Sequence, residues 1–355
     1  MIDLRDSEVA QELRATVRDL LAARSPWAAV LARSESTEPY HAKLWQALAA
    51  EVGVAGLPVP EPRGGAGATW REAAVVAEEI GRAFAPTPFL GSAVVATATL
   101  LALDGTDDLL GPLAAGRSTA AVVVPFDGSH APVTVAGGAL TGTVRGVADA
   151  LTADALLVPA GDRVHHVDPA AGGVARSPVV SLDPTRPLCD VTLTGAAAVP
   201  LGPGSAVDAG LRAGAVLLAA ELLGVAEWCL EATVAYVKQR HQFGRPVGAF
   251  QAVKHRLADV WVEVAQARAV ARYAAACLAA DDADLPVAAA LAKAHCAETA
   301  VRAAEECVQL HGGVGFTWEH PAHLALKRAK AGAIGFGTPD RHRATLAALV
   351  DLPPA

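Results

Sequence analysis

The hydrophobic pattern divides the chain into three parts with different periods. Up to about residue 116, apolar residues such as Leu13, Val17 and Leu20 recur at steps of three and four, which is typical of amphipathic helices. Between about residues 118 and 204 the period falls to two, and after residue 204 the helical period returns. We therefore predict an N-terminal helical domain at 1–116, a middle β domain at 117–205 and a C-terminal helical bundle at 206–355.

A loop interrupts the N-terminal helical part. Residues 53–69 are too rich in Gly and Pro for a regular element. One helix is predicted to end before Gly53, and two others are predicted over 70–85 and 89–103. Loops of this length are uncommon in compact domains, which favours a functional role for this one.

The middle part consists of short β-favouring runs. They lie at 120–124, 132–135, 155–158, 163–167 and 190–193, separated by Gly, Pro and Asp. Strands at this spacing predict a small antiparallel sandwich or barrel. The region has no G-x-G-x-x-G motif between a strand and a helix and no Walker lysine, so neither a Rossmann domain nor a P-loop is expected.

Three long helices are predicted in the last part, over 207–239, 250–280 and 286–311. Helices of this length joined by tight corners are typical of a bundle with antiparallel neighbours, and shorter helices after them complete a four-helix bundle. The most apolar window, 213–228, contains Glu221 and Glu227 and is shorter than the roughly 20 residues that a membrane span needs. We expect a buried bundle helix and no membrane span.

Composition excludes several classes of protein and site. The chain has a net charge of -8 and no basic stripe, so nucleic acid is not an expected partner. Its five cysteines are odd in number and lack C-x-x-C spacing, which predicts reduced packing residues rather than disulfides or zinc ligands. The histidines show no H-E-x-x-H spacing, and no metal site is expected. The first residues lack a signal-peptide pattern, so a cytoplasmic location is predicted.

Two segments of the bundle carry a specific pattern. Residues 240–246 read RHQFGRP, and residues 309–317 read QLHGGVGFT. Smaller similarities lie at 83–89, AFAPTPF, and at 188–193, LCDVTL. In this order, across essentially the whole chain, the sequence resembles the acyl-CoA dehydrogenase family of flavoproteins. The resemblance implies that family's fold, FAD, an acyl-CoA ligand, αβ-dehydrogenation, electron-transfer flavoprotein as acceptor, and an oligomer.

The resemblance also implies that these segments contact an FAD held mainly by a neighbouring subunit. The residue types suit a dinucleotide, because Arg240 offers a planar donor fork to a pyrophosphate and glycines let a backbone approach a ligand closely. The implied cofactor-binding residues are Arg240, Gln242, Phe243, Gln251, Gln309, Gly312, Gly313 and Thr338. The alternative is structural: Phe243 and Phe250 would be core residues, the glycines helix stops, and Thr338 only a helix N-cap.

The β domain departs from the family pattern. Family members that hold their own flavin line the isoalloxazine ring with a Thr-rich segment and a Trp-Ile-Thr segment. The matching positions, 122–129 and 146–148, read VVVPFDGS and GVA, without the Thr-Glu-Pro run or the Trp and Thr. The ring would lose its stacking partner and its hydroxyl donors. We therefore expect that this subunit does not hold the reactive end of a flavin by itself.

Both family positions for the catalytic base are also changed. Removal of a proton beside a thioester carbonyl needs a carboxylate in a dry pocket. The usual Glu precedes a Gly-Thr pair, and here Phe336 precedes Gly337 and Thr338. The alternative Glu position, in the first bundle helix, falls at Gly214. The sequence therefore predicts that neither standard base is present.

Glu221 is the remaining candidate for a base. It lies in an apolar run, where burial is expected to raise its pKa. Because it lies two turns beyond Gly214, a buried, hydrogen-bonded structural role is the preferred interpretation. Arg212 has two interpretations, contact with an anionic ligand or a place on a solvated helix face, of which the second is preferred.

These features resemble the incomplete, non-catalytic subunit of heteromeric acyl-CoA dehydrogenases of the actinobacterial type, which act on bulky CoA thioesters that include steroid side chains. In such a complex Arg240, Phe243, Gln251 and the loop 309–313 would complete an FAD site in the partner subunit, whose Glu performs the chemistry. Two alternatives stay open. One is a self-sufficient acyl-CoA or acyl-carrier oxidoreductase with Glu221 as base, and the other is a flavin-free structural homologue.

Overall fold

Helices form the N-terminal part of the chain, as predicted. The computed structural model describes residues 4–36, 38, 40–129 and 132–352. Two π-helical segments, Ala47–Glu51 and Phe89–Ala96, replace parts of the predicted α-helices. The α-helices of this part are α1 (Glu8–Arg24), α2 (Trp27–Ser34), α3 (Ala42–Gln46), α4 (Trp70–Ala83), α5 (Thr97–Leu101) and α6 (Asp107–Ala114).

The loop predicted at 53–69 is present between these helices. It begins at Gly53, whose φ of 83° is a left-handed conformation that favours glycine. Two 3₁₀ turns follow, Val54–Gly56 and Glu61–Arg63. Thr69 then starts α4 with a capping box, in which the Glu72 carboxylate accepts a hydrogen bond of 3.0 Å from the Thr69 N–H. The capping box therefore fixes the point at which the loop ends and α4 begins.

The middle part folds as two four-stranded sheets that enclose an apolar core. The strands are β1 (Ala120–Val122), β2 (Val133–Ala136), β3 (Ala139–Ala148), β4 (Ala155–Ala160), β5 (Arg163–Val167), β6 (Val174–Val179), β7 (Leu188–Ala197) and β8 (Val199–Pro203). Their orders are β1-β4-β5-β8 and β2-β3-β7-β6. The sandwich prediction is confirmed, with one correction: β1 and β4 pair in parallel, and the other pairs are antiparallel.

The hydrophobic pattern did not predict three of these strands. β3 contains Gly142 and Gly146, which resemble turn residues, and β6 contains Pro178. Pro lacks the N–H that a strand donates, but β6 lies at a sheet edge, where no further strand requires it. β8 follows β7 almost directly, so no turn signal marks its start.

The C-terminal part is a bundle of long helices, as predicted. Its elements are α7 (Ala206–Gln239), α8 (Gln251–Ala280), α9 (Leu285–His311), α10 (Ala322–Ile334) and α11 (Pro339–Leu349). α7 is the central helix and packs against α4, α8, α9 and the Phe89–Ala96 segment. Among the described residues α7 is the one helix long and apolar enough to span a membrane, and 83% of its most apolar window is buried within the fold. The five cysteines are buried and free.

Two glycines let α4 and α7 cross closely. A Cβ at Gly224 would lie 1.9 Å from the backbone O of Glu78, and a Cβ at Gly81 would lie 2.0 Å from the backbone O of Glu221. Real Cβ atoms do not approach an oxygen so closely, so each position requires glycine. This crossing joins the N-terminal helices to the bundle in one apolar core.

Candidate functional site

The segment after α7 forms a surface corner. β9 (His241–Gln242) and β10 (Arg245–Pro246) make a short antiparallel hairpin. Phe243 lies in its turn with a φ of 54°, and its side chain is 91% exposed. The interpretation of Phe243 as a core residue is therefore wrong. Gln242 is also exposed, and its side-chain amide donates to the neighbouring backbone O of His241 at 2.8 Å.

Two contacts beside the hairpin fix the backbone of this corner. The Arg245 guanidinium lies 4.0 Å from the centroid of the half-buried Phe250 ring. The Val247 N–H donates to the backbone O of Arg240 at 2.7 Å. The side chains of Arg240 and Gln251 are exposed. The corner thus presents a guanidinium and amides to the surroundings from a fixed backbone.

The glycine loop after α9 lies at the same end of the bundle. Gly312 has a φ of 62°, and a Cβ at Gly312 or Gly313 would meet nothing within 4 Å, so this backbone is open to a ligand. Gln309 is exposed on the last turn of α9. The ring of His311 stacks on Tyr236, one turn before the end of α7, with centroids 4.4 Å apart. The structure therefore brings the two predicted motifs together.

A second histidine supports this loop. The His320 ring lies 4.1 Å from that of His311. Burial, helped by the charge of His311, lowers the pKa of His320 to about 4. Burial also lowers the pKa of His311, but its contacts with Cys307 outweigh burial and raise the value overall. His320 is therefore neutral at pH 7, and the two histidines together carry at most the charge of His311.

Thr338 lies at the opposite end of the bundle. It is the N-cap of α11, where its Oγ1 accepts from the Arg341 N–H at 3.3 Å. The neighbouring Phe336 packs on Gly214, in the first part of α7, whereas Arg240 follows the end of that helix. The helix between Gly214 and Arg240 spans roughly 39 Å at 1.5 Å per residue. The structure thus does not bring Thr338 together with the other seven predicted cofactor residues of the same chain.

The two positions at which the resemblance predicts a base, Gly214 and Phe336, meet in space, and the Phe336 ring fills the space between them. A Cβ at Gly214 would lie 2.9 Å from Cε2 and Cζ of Phe336. The Phe126 ring packs edge-on against Phe336, with centroids 5.6 Å apart. The remaining cavity has a volume of about 20 Å³, which is enough for about one water molecule. None of the described residues that line it carries a carboxylate: they are Gly91, Val95, Val122, Val124, Pro125, Phe126, Ala148 and Phe336.

Backbone hydrogen bonds hold the segment that carries Phe336. The Phe336 N–H donates to the Phe126 O at 2.8 Å, and its own O accepts from Nε2 of His342 at 3.0 Å. Nζ of Lys293 donates to the O atoms of Ala333 and Gly337, at 3.2 and 3.1 Å. Hydrogen bonds on both sides of Phe336 therefore fix its backbone, and with it the place from which the ring extends.

Sequence reasoning missed Lys293, which is fully buried. Burial lowers its pKa from 10.5 to about 8. The available signal was a lysine on the apolar face of α9 between Ala292 and Ala294, both buried. The same charge contributes, after burial, to lowering the pKa of His342 to about 4.

Glu221 is held in a buried ion cluster. Arg186 Nη2 donates to both carboxylate oxygens at 2.5 and 2.7 Å, and Arg328 Nε donates to Oε1 at 2.8 Å. Burial raises the pKa of Glu221, but the two guanidinium groups outweigh it and the pKa is lowered overall. The expected raised pKa is therefore wrong. Since both oxygens are engaged, the geometry agrees with the preferred structural interpretation.

The ion cluster around Glu221 lies next to the packed rings of Phe126 and Phe336. Arg186, from the loop between β6 and β7, is 5.4 Å from the centroid of the Phe126 ring. Arg328 comes from α10 and also donates to Oγ1 of Thr185 at 2.8 Å. These contacts tie the β domain to the bundle behind Phe126 and Phe336.

A groove of about 280 Å³ opens beside Phe336. Arg212 and Arg341, both exposed, line it together with apolar residues of α7, α9 and α11. Arg212 therefore has the solvated position that was preferred for it, at the margin of a groove. A ligand in this groove would meet the Phe336 ring where a catalytic carboxylate is expected.

Comparison with known proteins gives a consistent result along the chain. The family described as "Acyl-CoA dehydrogenase, N-terminal domain" matches residues 7–113, and "Acyl-CoA dehydrogenase, C-terminal domain" matches residues 204–350. The chain is 40% identical to acyl-CoA dehydrogenase IpdE2 of Mycobacterium tuberculosis over 333 residues, which are 92% of each protein. It is 36% identical to acyl-CoA dehydrogenase FadE34 of the same organism, over 91% of this chain and 45% of FadE34.

Solved structures agree with this result. The chain is 28% identical to one in the ChsE4-ChsE5 complex from Mycobacterium tuberculosis, with a TM-score of 0.90 and all of both chains covered. It is 29% identical to a chain of the Tcur3481-Tcur3483 steroid ACAD G363A variant, with a TM-score of 0.88 over 97% of this chain and 98% of that one. The match includes the β domain that lies between the two family segments.

Proposed function

Because the chain belongs to the acyl-CoA dehydrogenase family, we propose that it is the non-catalytic subunit of a heteromeric, FAD-linked acyl-CoA dehydrogenase. In αβ-dehydrogenation of an acyl-CoA thioester, a carboxylate removes the proton beside the carbonyl, and FAD supplies the two-electron oxidant. The partner subunit provides the carboxylate and the platform for the flavin ring. This chain provides part of the cofactor site across the interface.

The observation that carries the proposal is the contact between Phe336 and Gly214. It fills both positions at which the family places its base, and about 20 Å³ remains beside it. A phenyl ring cannot accept a proton, and the cavity has no room for a thioester or a flavin ring. Proton removal at this end of the bundle would need a carboxylate in place of Phe336 or Gly214 and a different packing of the residues around it.

The opposite end of the bundle has the properties that a shared dinucleotide requires. Arg240 is exposed beside a rigid hairpin and can donate two parallel hydrogen bonds to a phosphate. The backbone of Gly312 and Gly313 is open to a ligand, and Gln309, three residues before Gly312, is exposed. The residues present at this end therefore fit the pyrophosphate and adenosine parts of FAD.

Exposed aromatic side chains support a protein partner at this end. Phe243 in the corner is 91% exposed, and Phe316, just after the glycine loop, is 77% exposed. Trp318 is also exposed. Large apolar side chains clustered at a surface mark interaction sites, and aromatic residues are enriched at the centres of interfaces. A second acyl-CoA dehydrogenase subunit would cover these rings and place its flavin against Arg240.

The acyl group would be selected by the partner, since the pocket of this chain is filled. One similar solved structure is described as a steroid ACAD. We infer that the complex acts on a bulky CoA thioester, such as a shortened steroid side chain, and passes electrons to electron-transfer flavoprotein.

Substitution of Arg240 tests the shared site. The chain is co-expressed with a candidate partner subunit, the complex is purified, and its flavin content is measured by visible absorbance. Arg240→Ala should lower flavin content several-fold at unchanged subunit ratio, because a pyrophosphate loses a charge-assisted donor pair. Lys238→Ala, which removes an exposed cation on the last turn of α7, should leave flavin content unchanged. Equal flavin in all three complexes would contradict the assignment.

A further inference from the structure

A second cavity lies between the N-terminal helices and α7. It has a volume of about 220 Å³ and is lined by the end of α1, the start of α2, the end of α4 and Trp228 of α7. Trp228 is about four turns along α7 from Gly214, which corresponds to roughly 21 Å. This cavity is therefore separate from the filled base position.

Aromatic side chains form much of its wall. Phe84 and Trp228 pack edge to face, with ring centroids 4.8 Å apart, and Leu21 lies beside them. Trp27 lines the cavity as well and is 38% exposed. Aromatic faces and edges favour a flat ring over a flexible chain, since rings stack and meet edge to face at a fixed separation.

One polar group in the wall lacks a partner. Ser25 is 6% exposed, and its N–H is used in a hydrogen bond of 2.8 Å to the backbone O of Leu21. Its hydroxyl has no hydrogen-bond partner among the described residues of the chain. Because Ser25 lines the cavity, its hydroxyl is available to pair with a ligand oxygen.

The charged residues of the wall are already neutralised. Arg18 donates to Glu79 at 2.8 and 2.7 Å, and Arg82 donates to Glu231. Each guanidinium is therefore fixed and compensated by a carboxylate, which leaves little net charge to attract an anion. A fixed guanidinium remains a good surface for stacking a ring.

We propose that this cavity binds a neutral, flat molecule of about two fused rings that carries one hydroxyl or carbonyl oxygen. Its volume of about 220 Å³ exceeds that of an engineered apolar cavity of roughly 150 Å³ that binds benzene, which suits a molecule of about two rings. The ligand ring lies among Trp27, Phe84 and Trp228, and its oxygen pairs with the Ser25 hydroxyl. This site is independent of the acyl-CoA chemistry proposed above.

Calorimetric titration of the purified full-length chain with 2-naphthol tests the site. Binding should saturate with a Kd below about 1 mM, as expected for a small ring compound of ordinary ligand efficiency. Ser25→Ala should weaken 2-naphthol binding roughly five- to tenfold through loss of one hydrogen bond. The same variant should bind 2-methylnaphthalene, which has no hydroxyl, as the unchanged chain does.

A matched pair of variants locates the binding. Ala22 is exposed and lines the cavity, whereas Ala23 is exposed but does not line it. Ala22→Phe should fill the space and abolish binding of both probes, and Ala23→Phe should retain it. Absence of saturable binding to the unchanged chain, or equal binding by the two Phe variants, would overturn the proposal.

Discussion

At the scale of single residues, Lys293 holds the segment that carries Phe336. Its ammonium group is buried with no carboxylate partner in the described part of the chain, and the backbone oxygens of Ala333 and Gly337 accept its hydrogen bonds. Backbone dipoles compensate a buried charge only in part, which is why burial lowers its pKa to about 8. In return, these bonds hold the segment that sets Phe336 against Gly214. The packing of Phe336 on Gly214 thus depends on a buried ammonium group as well as on the aromatic ring.

The lowered pKa of Lys293 predicts a stability that rises with pH. Between pH 8 and its ordinary value of 10.5, the unfolded chain binds more protons than the folded chain, so the free energy of unfolding increases with pH in this window. From pH 7.5 to 9.5 the contribution is about 2 kcal/mol. Lys293→Met should lack this gain. Chemical unfolding of both proteins at the two pH values measures it.

Exposed Lys238 provides the control for this experiment. Lys238→Met removes the same charge from the surface and should follow the pH dependence of the unchanged chain. If Lys293→Met and the unchanged chain gained the same stability between the two pH values, the buried charge would not be responsible for the rise.

At the scale of elements, the crossing of α4 and α7 determines where the N-terminal helices lie. Ridges of side chains usually keep two helices about 8–10 Å apart. Here Gly81 and Gly224 remove those side chains, so backbone meets backbone. This close approach sets α4, whose end lines the second cavity, against α7, whose first part carries Gly214. The crossing therefore supports both sites.

Gly224→Ala should destabilise the protein despite the better helix propensity of Ala. The propensity gain is about 1 kcal/mol, whereas a Cβ at 1.9 Å from the Glu78 O forces the helices apart, which costs about 3 kcal/mol or more. Gly111→Ala in α6, where a Cβ meets nothing within 4 Å, should change stability by less than about 1 kcal/mol. Thermal unfolding compares the two, and equal midpoints would contradict the packing argument.

The sequence predicted elements where one period continues for several turns. α7, α8 and α9 were placed to within two residues at each end, because apolar residues recur along their whole length. It missed β3 and β6, where Gly142, Gly146 and Pro178 resemble turn residues, and β8, which has no turn signal before it. Those residues are tolerated because of a neighbouring strand or an edge position, which a local pattern does not contain.

At the scale of the whole molecule, the two ends of α7 lie in different surroundings. One end carries Arg240 beside the glycine loop, and the other carries Gly214 under Phe336. Sequence motifs indicated both groups of residues, but their separation and the place of Thr338 depend on the direction of the long helices in space. The burial of Lys293 and the pairing of Glu221 with Arg186 and Arg328 likewise depend on tertiary contacts.

Under the proposed function, the molecule as a whole has half of a cofactor site on its surface and a filled base position in its interior. If both statements hold, an assembly with the catalytic subunit contains one FAD for every pair of unlike chains. The flavin would be seated in the partner and completed by Arg240 and the glycine loop. The chain purified alone should then be colourless and should not reduce a dye with acyl-CoA.

The most direct test is the ratio of FAD to polypeptide in the chain alone and in the purified complex. Flavin released by denaturation is measured by absorbance, and each subunit is quantified separately. The account predicts no FAD in the chain alone and one FAD per pair of unlike subunits in the complex. A ratio of two per pair, or a yellow and active single chain, would contradict it.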